Sequence, residues 1–390
     1  MTDFIEKDFI QDEDDPVYKF EIVDDEVTVV KYLKRESNVT VPARYEGCPV
    51  TRIGHQAFSG NNWIESVTLP ETIKHIDGDD FGGAFRDCTV LESITFPEGL
   101  IDIGQGAFYG CESLGNVTFP SSIEVIGRTS FCGCSNLTEV IIPDTVKKVR
   151  KGAFSDCASL TKVVIGNDVE YVSRKTFGNC EALTDVTIKG DKTMIDSYAF
   201  SNCTALKEIT IPESVKEIRR FAFSGCHELE KVNIPEGVTI IGENAFDNCR
   251  ALTEVVIPDS VVEVGVKAFM KCRSLETLVI GNGVTEIGEC TFDGCSALKS
   301  VKFGTGLKKI GETAFRDCSS LAEIELAEGL ESLGYRAFGG CRSLTSATLP
   351  ASLTDINLTA FFDCGKVVVR APKGSECAKF CKKNKISLAK

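Results

Sequence analysis

Residues 199–211 read AFSNCTALKEITI, and nearly the same words return as AFSDCASLTKVVI at 153–165, AFDNCRALTEVVI at 245–257 and AFRDCSSLAEIEL at 314–326. The phenylalanine of the phrase stands at Phe58 and Phe85, 27 residues apart, and then at every 23rd position to Phe361, fourteen copies in all. A fixed period in this range is the mark of a solenoid, in which each copy is one coil stacked on the next. One coil cannot bury its apolar side alone, so stacking in register generates the core.

The full copy 222–242, AFSGCHELEKVNIPEGVTIIG, shows how a coil is built. From Leu229 to Ile234 apolar and polar residues alternate with β-branched side chains, which predicts a short strand. Pro235 ends it, since proline cannot donate to a ladder. Val238 and Ile241 fit a second short strand or a tight curved segment. Gly242 then offers a corner that needs backbone freedom. Ala222 suits a close approach of coils, and Phe223 fills the interior.

The pattern AFxxCxxLxxIxIPxxVxxIG resembles the BspA-like leucine-rich repeats, over about residues 38–370. The resemblance implies a β-rich leucine-rich repeat solenoid of about fourteen coils, mostly 23 residues each, used as a binding scaffold. Both ends read as caps, which a solenoid needs to cover its terminal core. Residues 1–37 form an acidic segment and a capping hairpin, with Tyr18, Phe20 and Ile22 alternating before Asp24-Asp25 and a second strand from Glu26. Residues 38–370 are the solenoid, with an insertion near 77–83. Residues 371–390 supply a closing helix, with Ser375 as N-cap and Cys377, Phe380 and Cys381 as its apolar stripe.

Thirteen of the eighteen cysteines share one place, three after the phenylalanine: Cys88, Cys111, Cys134, Cys157, Cys180, Cys203, Cys226, Cys249, Cys272, Cys295, Cys318, Cys341 and Cys364. Stacking sets them one rung per coil, but parallel Cβ vectors do not suit a disulfide dihedral. They read as a ladder of buried thiols, packing as small hydrophobes. No C-x-x-C occurs and only three histidines are present, at unrelated phases of the repeat. No metal site, cofactor or catalytic constellation is therefore expected. Asp77, Asp79 and Asp80 of the insertion raise calcium, but the later glutamate of an EF-hand loop is missing, which favours a solvated loop.

With 43 Lys+Arg against 57 Asp+Glu, the net charge of −14 disfavours binding to nucleic acid or anionic lipid. No run is long and apolar enough for a membrane span. The start MTDFIEKDFIQDEDD lacks the basic and apolar parts of a secretory signal, so the chain stays cytoplasmic if Met1 is the native start. The resemblance points instead to a bacterial cell surface. On the outward face of the long strand, two and four positions after the leucine, no aromatic side chain occurs. The distinctive surface is a basic strip with aromatics at the corner before each A-F pair: Lys147, Lys148, Arg150, Lys151, Arg174, Lys175, Tyr198, Arg219, Arg220 and Phe221. These readings describe a monomeric, non-catalytic protein-interaction module of adhesion type, with an intracellular scaffold as the alternative.

Overall fold

The computed structural model describes residues 11, 13, 15–191 and 193–389. Most of the acidic start, residues 1–10, 12 and 14, lies outside the described residues. Contacts divide the chain into two compact units, Met1–Thr193 and Met194–Lys390. Together they hold about 16 turns. The count exceeds the fourteen phenylalanines because strands at Asn38–Thr40 and Ser387–Leu388 add coils that lack the phrase.

Each coil has three walls, and each wall bonds to the next coil. The first is the expected strand after the leucine. Lys162–Ile165 pairs in parallel with Asp185–Ile188, residue 162 opposite 185, so the 23-residue period is the register. Val163 and Ile165 are buried while Lys162 faces solvent. The second wall settles the open choice at Val238–Ile241: Ile240–Ile241 is a two-residue strand, paired in parallel with Glu217–Ile218 and Glu263–Val264. In the Met194–Lys390 unit this ladder runs unbroken through seven strands, whereas the long-strand ladder is interrupted, for example between Lys231–Asn233 and Glu254–Ile257.

The third wall is the corner that carries the A-F pair, and here the sequence reading needs correction. Gly242 does not take a left-handed φ. It is required because a Cβ there would sit 2.7 Å from the Arg220 backbone nitrogen. The left-handed residues come later, two before the phenylalanine and one before the cysteine: Asn244 at φ 54° and Asn248 at φ 63°. At the first of these places stand even Thr129 at 48°, Tyr198 at 61° and Phe221 at 57°. Such φ values cost bulky residues about 1–2 kcal/mol. They persist because the corner is hydrogen-bonded from coil to coil. Thr129 N–H donates to Lys151 O at 3.0 Å, Phe131 N–H to Ala153 O at 2.8 Å and Gly133 N–H to Ser155 O at 2.9 Å.

The core is a stack of phenylalanines. In the first unit Phe58 to Phe177 follow one another at centroid distances of 4.7–5.7 Å, with planes within 8°. In the second, Phe200 to Phe361 repeat at 5.1–5.8 Å. Nearly parallel rings at this distance are offset-stacked, which adds to their burial.

Beside them runs the cysteine row. Cys157 Sγ lies 3.2 Å from Phe131 O and Cys249 Sγ 3.3 Å from Phe223 O, each thiol donating to the phenylalanine carbonyl of the preceding coil. That carbonyl also accepts a backbone bond within its own coil, as Phe131 O does from Cys134 N–H at 3.2 Å. Cysteine thus supplies both the small apolar volume and the second donor that this buried oxygen can take. In the first full coil Asn61 holds the place, and its Oδ1 accepts from the backbone of Trp63 and Ile64.

The ends match the expected caps. Strands β1 (Tyr18–Val23) and β2 (Glu26–Tyr32) form an antiparallel hairpin through Asp24 and Asp25, both at positive φ, and β2 pairs in parallel with Cys48–Ile53. Helix α1 (Glu376–Lys383) starts at Ser375, whose side chain accepts from Ala378 N–H, and buries Cys377, Ala378 and Cys381. Phe380 of the expected stripe is only half-buried. Ser375→Ala should cost about 1 kcal/mol. Amide exchange over 376–388 should then quicken about fivefold, with the remaining coils unchanged.

Candidate functional site

In the first unit Arg150, Lys151, Arg174 and Lys175 lie at the corner, and Lys147 and Lys148 lie just before it, Lys148 opening the short second-wall strand Lys148–Val149. Lys147, Lys148, Arg150, Lys151 and Arg174 are exposed, and Lys175 is half-buried at φ 57°. Lys147 Nζ pairs with Glu124 at 3.1 Å and Lys175 Nζ with Asp156 at 3.7 Å. Among the described residues Lys148, Arg150 and Lys151 make no ion pair. Three cations thus project uncompensated from an acidic chain.

Stacking also reveals a member that sequence reading missed. Lys151 and Arg174 stand three before their phenylalanines, and so does Arg128. One row therefore runs Gln105, Arg128, Lys151, Arg174, one residue per coil. Adjacent Lys and Arg pairs drew attention in the sequence, and Arg128 stands alone between Gly127 and Thr129. Applying the repeat phase to single residues would have found it.

The corresponding residues of the second unit behave differently. Arg219 is 3.0 Å from Asp196 and 3.5 Å from Glu217, and the Asp196 hydrogen bond raises its pKa. Arg220 pairs with Glu243 at 3.7 Å and lies 5.3 Å over the Phe221 ring. Tyr198 and Phe221 stack at 4.7 Å. The two arginines there are balanced locally by Asp196, Glu217 and Glu243.

The insertion is a small hairpin of Gly78–Asp79 against Gly82–Gly83. Its acids are engaged by side chains: Asp77 with Arg52 at 2.6 Å, Asp79 with His55 at 3.3 Å, and Asp80 with Gln105 at 2.8 Å and Arg128 at 3.5 Å. Among the described residues no group of three His, Cys, Asp or Glu could hold a metal ion. The histidines take separate partners, Asp79 for His55, Asp102 for His75 and Asn248 for His227.

On the long-strand face Lys162 pairs with Glu139 at 2.7 Å, and Ile141 and Val256 of the same outward row are half exposed. Where the ladder opens beside Lys231–Asn233 lies a shallow groove of about 480 Å³, lined by Glu213, Lys231, Asn233, Glu254, Val256 and Pro258. No helix among the described residues is long and apolar enough to cross a membrane.

The family model for the BspA type leucine rich repeat region matches residues 51–184, 125–253, 170–296 and 239–368. A leucine-rich repeat protein from Bacteroides ovatus is 28% identical, with a TM-score of 0.71, over 98% of this chain and 99% of that one. A leucine rich cell surface protein from Faecalibacterium prausnitzii is 28% identical, with a TM-score of 0.51, over 96% of each chain. A leucine-rich repeat protein from Eubacterium ventriosum is 25% identical, with a TM-score of 0.50, over 87% and 91%. Among curated proteins none matches. With its repeat model matched from residue 51 to 368, the chain belongs to the BspA-type leucine-rich repeat family.

Proposed function

We propose that the chain is a non-catalytic protein-interaction module of the surface-adhesion type, which engages an acidic protein segment through the basic corner of its Met1–Thr193 unit. The observation that carries this reading is the set of uncompensated cations Lys148, Arg150 and Lys151, flanked by Arg128 and Arg174, on a chain of net charge −14. Such a patch steers an acidic partner and adds charge-assisted hydrogen bonds on contact. The family's use of the solenoid as a scaffold supports the non-catalytic reading, and the surface protein of Faecalibacterium prausnitzii supports the adhesion type.

The test is binding of the full chain to immobilised ten-residue peptides, one rich in glutamate and one of serine and glycine. The acidic peptide should bind, weaken as salt rises, and lose at least tenfold affinity on Lys151→Glu with Arg174→Glu. Equal retention of both peptides, or an unaffected double variant, overturns the reading.

A further inference from the structure

We propose that the row Arg128, Lys151, Arg174 reads an extended acidic peptide in register, seating alternate carboxylates between successive coils, with Asp80 of the insertion as its built-in first contact. This rests on the protein-interaction reading and specifies its ligand.

The row is rigidly spaced. The carbonyls of Arg128, Lys151 and Arg174 accept from Gly106, Thr129 and Gly152 of the preceding coils at 2.8, 3.0 and 3.0 Å. The underlying phenylalanines advance by 5.1, 5.3 and 5.7 Å from Phe108 to Phe177. The side chains therefore form a comb with one tooth per coil. Asp80 shows how the comb takes an anion: its Oδ1 lies 2.8 Å from Gln105 Nε2 and 3.5 Å from Arg128 Nη1, bridging two successive teeth. The next two notches of the row, Arg128/Lys151 and Lys151/Arg174, set two cationic side chains side by side, where the first pairs a cation with a neutral amide.

In an extended strand, residues two apart point to the same side and stand about 6.6 Å from each other. That is close to the notch spacing, and the flexible ends of Lys and Arg absorb the difference. Adjacent carboxylates point to opposite faces, as do carboxylates three apart, so neither fills two notches. Arg150 lies one residue from Lys151 and adds long-range attraction. Phe81 follows Asp80 and is 85% exposed, offering a ring to an apolar residue of the ligand at that end. A nucleic acid strand would also bring regularly spaced anions. The net negative charge opposes it, and no aromatic side chain stands in the row for bases to stack on.

The measurement is fluorescence anisotropy of the full chain with labelled peptides of equal charge: SDSDSDS, DDSSSSD and DSSDSSD, of which only the first places carboxylates two apart. The alternating peptide should bind at least fivefold tighter than the other two, and Lys151→Gln should abolish that preference. Asp80→Ala empties the first notch, and should strengthen the alternating peptide several-fold more than it strengthens DDSSSSD. Asp80 is exposed, so this variant keeps its fold. Three equal affinities overturn the register and leave the interaction reading intact. No binding by any acidic peptide overturns both. Tighter binding of a thymidine decamer than of the alternating peptide assigns the row to nucleic acid and overturns the proposal.

Discussion

Raised above about pH 9, the chain should unfold cooperatively within about one pH unit, far more steeply than exposed lysines and tyrosines alone would produce. Burial pushes up the thiols of Cys88 to about 11 and of Cys180 and Cys226 to about 12, and raises Cys111, Cys134, Cys157, Cys249, Cys272 and Cys318 well above their usual range. A thiol whose folded pKa lies above its unfolded value favours the fold fully below the unfolded pKa. That advantage falls away as pH climbs from the unfolded towards the folded value. Each fully shifted thiol then costs about 1.4 kcal/mol per pH unit. Each unit of the chain holds at least four of them, so the loss is about 5 kcal/mol per pH unit in each, against a typical domain stability of 5–15 kcal/mol. Far-ultraviolet circular dichroism against pH, with thiolate absorbance recorded alongside, should show structure lost as thiolate appears. Replacing Cys157 and Cys180 by alanine lowers stability at neutral pH yet should make the alkaline loss shallower. A signal that stays flat to about pH 12, about three units above the onset, would mean that the thiols are not buried as a row.

Phe154→Ala should destabilise its unit by about 3–5 kcal/mol. The ring is fully buried, stacks on Phe131 at 5.3 Å and Phe177 at 5.7 Å and meets Phe119 edge-on at 6.3 Å, so truncation opens a cavity and breaks three ring contacts at once. A solenoid is held by nearest-neighbour interfaces, and a gap in the middle uncouples the coils on either side. Urea unfolding should therefore show a lower midpoint and a broadened or split transition. Phe81→Ala, at an exposed ring in the insertion, should stay within about 0.5 kcal/mol of the parent. A loss below about 1 kcal/mol at Phe154 would contradict the stacked core.

These two effects were legible because they belong to the period. A phenylalanine every 23 residues has one environment repeated, so its burial follows from the spacing without coordinates, and the thiol row follows in the same way. The corner was not legible in this manner. Tyr198, Phe221 and Thr129 carry no turn signal, and what holds them at positive φ is a bond to a carbonyl one coil away. Arg128 is a different case within the candidate site: its residue type is ordinary, but the repeat phase applied to single residues places it in the row next to Lys151.

The sequence by itself determined the solenoid, the coil length, the buried phenylalanine and cysteine rows and the two end caps, because each is a pattern along the chain. The tertiary structure decided which carbonyl each thiol meets, that the glycine after the short strand serves close approach, and which cations are left uncompensated. Those outcomes depend on partners 22 to 26 residues away, as Thr129 with Lys151 and Cys157 with Phe131. Coil stacking alone brings such partners together.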